Sequence, residues 1–227
     1  MDIIKMTKQG LKQFGKIFSP KSVKDVPIQK TRRELYQYWK NPQDNNNAAF
    51  LYLKERARSK FLVSIVKRYT KSSQTNIIEI GCNVGRNLYY LSQAGYKKLS
   101  GIEISSEAVK LMKKSYPRLY RSAKIYNSPV ERIIKKLGDS QFDIVFSMAV
   151  LQHIHRDSEW IFREMARITK QYIITIEDEH GLTWRHFPRN YKTIFGKLNV
   201  VQVEQMNCKH IKGLSKNFMA RVFKKRT

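Results

Sequence analysis

The sequence has few cysteines, few acidic residues and no long apolar run. Two cysteines in 227 residues provide neither a disulfide framework nor the ligand spacing of a zinc site, and they predict a reducing, cytoplasmic setting. No apolar stretch approaches the roughly 20 residues that a membrane-spanning helix needs. The first residues mix charged with apolar side chains, which argues against a secretory signal. We therefore expect a cytoplasmic protein, with the inner membrane surface as a second place where it could lie.

The residues that are present suffice for one packed domain with a modest extension. Apolar residues make up 41% of the chain and aromatic residues 11%, which excludes a wholly disordered protein. Residues 1–47 are predicted to form a basic helical extension, and residues 48–227 a single domain. Within the extension, residues 1–18 have apolar side chains at helical spacing, which suits either a membrane-interface helix or a helix that caps the core.

Basic residues outnumber acidic ones by 44 to 18, which gives a formal net charge of +26. The excess lies at the two ends: residues 1–75 carry +12 and residues 185–227 carry +10, whereas the stretch between them carries +4. The positive electrostatic potential that this excess creates favours an anionic partner, such as a phosphorylated substrate, a nucleic acid or an acidic membrane surface. The alternative is a lysine-rich, solvated surface that selects no partner.

Short runs of β-branched residues alternate with helical patterns from residue 76 onward. This alternation predicts an α/β fold: a Rossmann-like, doubly wound, mostly parallel sheet, with antiparallel pairing at the C-terminal end and a helical extension before it. The predicted strands are 77–80, 99–104, 124–126, 142–147, 172–176, 200–205 and 218–223. The predicted helices are 32–41, 48–69, 87–94, 105–115, 130–137 and 158–168.

A glycine-containing turn between the first strand and the next helix is the most informative segment. It reads Glu79-Ile-Gly81-Cys-Asn83-Val-Gly85-Arg-Asn. Glycine permits positive φ and a close approach of backbone to a ligand, and asparagine is the residue that best replaces it in that conformation. Glu103 ends the second strand, where an acidic side chain can accept hydrogen bonds from ribose hydroxyls. The turn and the acid together predict a site for a nucleoside-containing cofactor.

At these residues the sequence resembles the class I S-adenosylmethionine-dependent methyltransferases, and in particular their small-molecule branch of type 11. The resemblance implies that S-adenosylmethionine is the cofactor. It departs from the family pattern at Asn83, which replaces the middle glycine of the turn, and at Asn127-Ser128, where the family often has an aspartate. The cofactor-binding residues that it implies are Glu79, Gly81, Cys82, Asn83, Gly85, Arg86, Asn87, Glu103, Ile104, Ser128, Val130, Ser147 and Met148.

Three histidines are candidates for the general base of methyl transfer, because imidazole titrates near neutral pH. His153 follows the fourth strand, and His180 and His186 follow the fifth. His153 could instead pack against the cofactor or bond to a carbonyl group. We assign no metal, although the acidic run at residues 177–179 could bind a divalent cation, orient a polar substrate or pair with nearby arginines. Arg185 and Arg189 are candidates for contacts to an anion.

These residues predict an S-adenosylmethionine-dependent methyltransferase that methylates an oxygen of a polar small molecule or a glycan or sugar precursor. The acceptor is expected to be anionic. One alternative is an RNA methyltransferase that uses the basic termini to follow phosphates. Another is a non-catalytic peripheral membrane or scaffold protein that keeps the cofactor-binding fold. The oligomeric state stays open.

Overall fold

A single seven-stranded sheet organises the computed structural model, which describes residues 27–42 and 47–226. The strands, in chain order, are β1 (Asn76–Ile80), β2 (Lys98–Glu103), β3 (Lys124–Asn127), β4 (Phe142–Met148), β5 (Thr169–Asp178), β6 (Val200–Asn207) and β7 (Phe218–Lys225). They lie in the order β3-β2-β1-β4-β5-β7-β6. The first five strands are parallel, and β7 pairs antiparallel with both β5 and β6. The predicted fold class is confirmed.

Eight α-helices surround the sheet in the described part of the chain. They are α1 (Arg32–Lys40), α2 (Arg56–Tyr69), α3 (Arg86–Gln93), α4 (Ser106–Ser115), α5 (Pro117–Ser122), α6 (Val130–Ile133), α7 (Trp160–Ile168) and α8 (Tyr191–Gly196). The sequence did not predict α5 or α8, each of which has six residues, because one and a half turns are too short to show a helical period. No helix of the described residues is long and apolar enough to cross a membrane.

The sheet is buried on both faces, because its central strands have apolar side chains on both sides. Ile78, Ile80 and Val145 pack against α6, α7 and α8 on one face. Ile77 and Ile144 pack against α2, α3 and α4 on the other. Such burial is typical of parallel sheets and explains the nearly continuous apolar runs in β1 and β4. It also leaves the carboxyl edge of the sheet as the place where loops from several strands meet.

The predicted long helix over residues 48–69 is wrong at its start. Residues Ala49–Lys54 form a 3₁₀ helix, and the α-helix begins after Glu55, whose φ and ψ are −80° and 53°. The break separates two packing roles: α2 buries Leu62 and Ile65 against the sheet, whereas the 3₁₀ helix turns toward the carboxyl edge. The predicted helix over residues 1–18, and its membrane contact, lie outside the described residues.

Candidate active site

A cleft opens at the carboxyl edge of β1, β2, β3 and β4. It encloses about 1140 Å³ of empty space, part of it open solvent at the mouth. Its floor is formed by the residues that follow these strands, among them Gly81, Asn83, Glu103, Ser128 and Val150. Its roof is formed by α1 and the 3₁₀ helix of the N-terminal segment. The cleft therefore coincides with the cofactor site that the glycine turn predicted.

The glycine turn has the backbone conformation that its residues suggest. Gly81 and Gly85 both have φ of +72°, and Asn83 has φ of +45°, so asparagine does take the left-handed conformation at the position where the family pattern has glycine. A side chain at Gly81 would collide with Val150, and one at Gly85 would lie 2.8 Å from Met112 Sδ. The expectation that glycine serves a close approach to ligand is thus incomplete, since both glycines also make room for protein side chains.

Glu103 is the acidic group of the cleft, and its orientation is set by backbone amides. Its Oε2 accepts a hydrogen bond from the Asn83 amide at 2.8 Å, and its Oε1 accepts one from the Ser105 amide at 2.7 Å. Burial raises the pKa of this carboxyl group above its ordinary value, while the two amide bonds oppose that rise. Each carboxylate oxygen retains a lone pair that a ligand hydroxyl can use. Ile104, Ser128 and Val130 line the cleft beside it.

Glu79, Asn87 and Arg86 form a buried network beneath the cleft and are absent from its lining. Asn87 Nδ2 donates to Glu79 Oε1 at 2.6 Å, and Ser59 Oγ donates to Asn87 Oδ1 at 2.6 Å. Arg86 donates from Nε to Ser59 Oγ and from Nη1 to the Tyr52 carbonyl oxygen, at 2.7 and 2.8 Å. Arg86 thereby ties the roof to α3.

Burial raises the pKa of Glu79 to about 8, and its second carboxyl oxygen has no hydrogen-bond partner among the described residues. Met148 lies over the same network, with Sδ 3.9 Å from Asn87 Nδ2. Cys82 packs beneath the turn, where its sulfur would be 2.6 Å from a side-chain carbon at Gly101. Of the predicted cofactor-binding residues, Glu79, Cys82, Arg86, Asn87 and Met148 therefore lie behind the turn and do not line the cleft.

The Glu177 side chain is buried beneath the turn after β4 and accepts hydrogen bonds from it. Its Oε1 accepts a hydrogen bond from Ser147 Oγ, and its Oε2 accepts one from the Val150 amide at 2.9 Å. Burial raises the pKa of Glu177 to about 7. Ser147 is fully buried by this contact and does not line the cleft. Glu177 thus holds Val150 against Gly81, a role that its sequence position did not reveal.

His153 is the one of the three candidate bases that lines the cleft. Its Nδ1 lies 3.0 Å from the Arg185 carbonyl oxygen, which fixes the proton on Nδ1 and leaves a lone pair on Nε2. Gln152, whose Oε1 accepts the Asp178 N–H, has its amide nitrogen 3.4 Å from His153 Nε2, so in this tautomer the Gln152 amide donates to that lone pair. Burial, with the nearby His186, lowers the pKa of His153 well below its usual value, so the ring is neutral.

The other two histidines lie elsewhere. The His186 ring packs behind His153 at a centroid distance of 4.5 Å, and burial lowers its pKa. His180 is exposed and is not part of the cleft lining. The structure therefore brings His153 and His186 together and leaves His180 outside.

The acidic run after β5 does not form one site. Glu177 faces the turn after β4, whereas Glu179 is buried and bonds bidentately to Arg221 of β7 at 2.6 and 2.7 Å. The carboxylate of Asp178 accepts the backbone amides of His180 and Gly181. Of the alternatives open for this run, the geometry favours pairing within the protein. Within residues 27–42 and 47–226, no group of three His, Cys, Asp or Glu side chains is arranged to hold a metal.

Side-chain contacts attach the roof to the loop after β5 and to the turn after β4, and no sequence motif predicts them. Arg185 donates from Nη1 to Tyr38 Oη at 2.6 Å, and its guanidinium lies 5.3 to 5.7 Å from the ring centres of Tyr38, Trp39 and Trp184. Asn47 donates from Nδ2 to Tyr38 Oη at 2.8 Å. Trp39 packs on His153 with 4.5 Å between ring centres. The prediction that residues 1–47 form a separate extension thus overlooks that α1 completes the cleft.

The two arginines expected to contact an anion are engaged within the protein. Arg189 is buried, pairs with Glu159 and donates to the carbonyl oxygens of Leu151 and Ile154 at 3.1 and 2.7 Å. The Arg185 guanidinium packs against the aromatic rings of the roof. Sequence position alone could not distinguish these internal roles from ligand contacts, because both place a guanidinium near the carboxyl edge.

Comparison with known proteins identifies the domain. Residues 78–172 match a family model described as a methyltransferase domain, and this stretch runs from β1 into β5. The match covers 95 of the 227 residues and agrees with the methyltransferase family that the residues of the glycine turn suggested. The family, the enzyme type and the cofactor that the glycine turn predicted are thereby confirmed.

The similar proteins are distant in sequence. An O-methyltransferase from Pyrenophora dematioidea is 19% identical over 133 residues, which cover 59% of this chain and 48% of the relative. The chain thus spans about half the length of this curated relative. A magnesium protoporphyrin IX methyltransferase from Synechocystis PCC 6803, solved with bound S-adenosylmethionine, superposes with a TM-score of 0.65 at 13% identity, covering 86% of this chain and 96% of that one.

Another structure, a geranyl diphosphate C-methyltransferase from Streptomyces coelicolor A3(2), superposes with a TM-score of 0.65 at 10% identity and covers 86% of this chain and 98% of that one. At these identities the superpositions show a shared fold. They leave the acceptor of this chain to be argued from its own cleft.

Proposed function

We propose that the chain is an S-adenosylmethionine-dependent methyltransferase that methylates an oxygen of a small molecule. The observation that carries this proposal is the cleft at the carboxyl edge, where the Glu103 carboxylate lies beside the glycine turn. A class I methyltransferase domain forms its floor, and α1 covers it. The similarity to an O-methyltransferase supports oxygen as the methylated atom.

The lining residues fit the cofactor by their chemistry. The free lone pairs of Glu103 suit the two ribose hydroxyls, since a carboxylate can accept from both. Ile104 and Val130 offer apolar surface for a flat base, and Ser128 offers a hydroxyl at its edge. Gly81 and Asn83 supply the backbone beside it. Two structural neighbours crystallised with S-adenosylmethionine or S-adenosylhomocysteine share this fold.

S-adenosylmethionine, when bound, supplies a methyl group on a sulfonium sulfur, and transfer to a hydroxyl oxygen also releases the hydroxyl proton. We assign His153 the task of receiving that proton on Nε2. Its other nitrogen already donates to the Arg185 carbonyl, which places the lone pair on Nε2. The long contact from the Gln152 amide to that lone pair has to give way when the acceptor hydroxyl approaches. His186 stacks behind it and keeps the ring in place.

The roof supports a small-molecule acceptor. The α1 helix and the 3₁₀ helix cover the cleft, and residues Ala149–His155 line it from the opposite side. Such a covered site excludes water from the reacting groups. A glycan or sugar precursor, which the sequence favoured, would have to enter this slot as a small unit. Membrane contact through residues 1–18 and a cytoplasmic location remain predictions.

Calorimetric titration with S-adenosylhomocysteine tests the proposal. We expect wild type to bind and Glu103→Gln to bind at least about tenfold more weakly, because charge-assisted hydrogen bonds contribute roughly 1.5 to 3 kcal/mol each. Glu164→Gln is the matched control, since Glu164 pairs with Arg167 on α7 outside the cleft. A wild-type protein that does not bind S-adenosylhomocysteine would overturn the proposed function.

A further inference from the structure

We propose that the acceptor is an uncharged aromatic compound bearing a hydroxyl group, and that Trp39 selects it by stacking. This inference rests on the proposed function and names the substrate class of the same cleft. It departs from the anionic acceptor that the net charge of the chain suggests.

The cleft has the opposite charge from the chain around it. Among its lining residues are three carboxylate side chains, Glu103, Glu107 and Glu131, and one guanidinium, that of Arg32. The whole chain carries +26. An acidic lining suits the positively charged sulfonium of the cofactor and disfavours an acceptor that brings a phosphate or a carboxylate.

The charged lining residues are grouped around β2, β3 and the neighbouring face of α1. Glu103 and Glu107 lie at the end of β2 and the start of α4. Burial and the nearby Glu131 carboxylate raise the pKa of Tyr36 of α1, and Arg32 lies one helical turn before Tyr36 on the same face. The part of the cleft next to β4 is therefore where an acceptor would meet uncharged walls.

The walls on the β4 side are aromatic and aliphatic. Besides His153, the lining residues from this part of the roof and from the turn after β4 are Leu35, Trp39, Pro42, Asn47, Ala48, Ala49, Tyr52, Ala149, Val150, Ile154 and His155. Apart from the two histidines, none of these side chains is ionic. Apolar walls with a few polar atoms favour a ligand that buries carbon surface, and the two aromatic rings favour a flat one.

The arginines near this region are already occupied, so they do not restore an anion site. Arg185 bonds to Tyr38 and lies over three rings. Arg189 is paired with Glu159 behind the wall. An anionic group placed here would lose its water without gaining a cationic partner, which is a large penalty in a partly buried site.

Trp39 occupies the position that decides specificity. It lines the cleft, its ring contacts His153 at a centroid distance of 4.5 Å, and its indole N–H is buried with no hydrogen-bond partner in the described part of the chain. A flat acceptor resting on this ring would lie beside His153. A phenolic hydroxyl, with a pKa of about 10 as in tyrosine, gives up its proton to a neutral imidazole far more readily than an aliphatic alcohol does.

The test compares two ligands with the same ring system, 2-naphthol and 2-naphthoate, by calorimetry on the full chain saturated with S-adenosylhomocysteine. We expect 2-naphthol to bind at least tenfold more tightly than 2-naphthoate. Trp39→Ala should weaken 2-naphthol binding about tenfold, equivalent to about 1.4 kcal/mol. Trp39→Phe should retain binding within about threefold, since the phenyl ring keeps a stacking surface. Trp160→Ala is the matched control, because Trp160 lies on α7, outside the cleft lining, where its ring packs under Lys135.

Each outcome separates this inference from the proposed function. If S-adenosylhomocysteine binds and 2-naphthoate binds as tightly as 2-naphthol or more tightly, the inference is refuted and the proposed function stands. Binding of S-adenosylhomocysteine with neither naphthyl compound bound also refutes the inference. A loss in Trp39→Ala no larger than that in Trp160→Ala would remove Trp39 as the selecting residue. Failure to bind S-adenosylhomocysteine would refute the proposed function itself.

Discussion

Glu79 makes the stability of the protein depend on pH in an unusual direction. Burial raises the pKa of this carboxyl group from 4.5 to about 8, although the hydrogen bond that one of its oxygens accepts from Asn87 opposes the rise. The other oxygen has no partner in the part of the chain that is described. Between those two pKa values the folded protein holds a proton that the unfolded chain has lost. The free energy of unfolding must therefore fall as the pH rises through this window.

The size of the effect follows from the two pKa values. Integrating the proton uptake from pH 7 to pH 8 gives a loss of about 1 kcal/mol from Glu79 alone. Glu177, whose pKa is raised to about 7, adds roughly a third of that in the same interval. The lowered pKa of His153 acts at lower pH, because both its folded and its unfolded forms are mostly neutral above pH 7.

Urea denaturation at closely spaced pH values measures this loss. Glu79→Gln keeps a carbonyl oxygen for Asn87 but cannot ionise, so its unfolding free energy should fall by about 1 kcal/mol less than that of wild type between pH 7 and pH 8. Equal pH dependence in the two proteins would refute the assignment of the buried proton to Glu79. So would a wild-type stability that rises with pH over this interval.

Substitutions at Glu179 and Gly81, each with a companion variant, test a buried ion pair of the sheet and the packing of the glycine turn. Glu179→Gln leaves Arg221 buried without its bidentate partner and should lower the unfolding free energy by about 3 to 5 kcal/mol. Glu204→Gln, at the more exposed pair with Arg68, should cost about 1 kcal/mol or less, and similar losses for both would count against the buried pair. Gly81→Ala should destabilise the protein and weaken S-adenosylhomocysteine binding, since the new methyl group meets Val150. The double substitution with Val150→Ala should recover part of that loss in both assays, and no recovery would show that backbone strain at positive φ dominates.

The sheet and the side of the cleft formed by the glycine turn and Glu103 could be predicted from sequence because they depend on local patterns. β1 and β4 are short apolar runs next to turn residues, and Ser105 is a helix cap whose hydroxyl accepts the Ala108 amide. The position of Glu103 at the end of β2 follows from the same alternation of strands and helices. A parallel sheet then places the ends of these strands together without further information.

The acceptor side could not be predicted, because it depends on contacts between distant segments. Hydrophobic periodicity shows that α1 has an apolar face but not that this face covers the cleft, and the clamp joins Tyr38 to Arg185, 147 residues away. Acidic residues are few, and three of them line the cleft, so the net charge of the chain does not describe the site.

Amide hydrogen exchange on the full chain, with and without S-adenosylhomocysteine, tests most directly the claim that the cofactor binds beneath α1. The account predicts that the ligand slows exchange in the turn at residues 81–85, around residues 103–105 and in α1, because these segments enclose the cleft. Protection confined to other parts of the sheet, or no protection with saturating ligand, would contradict it.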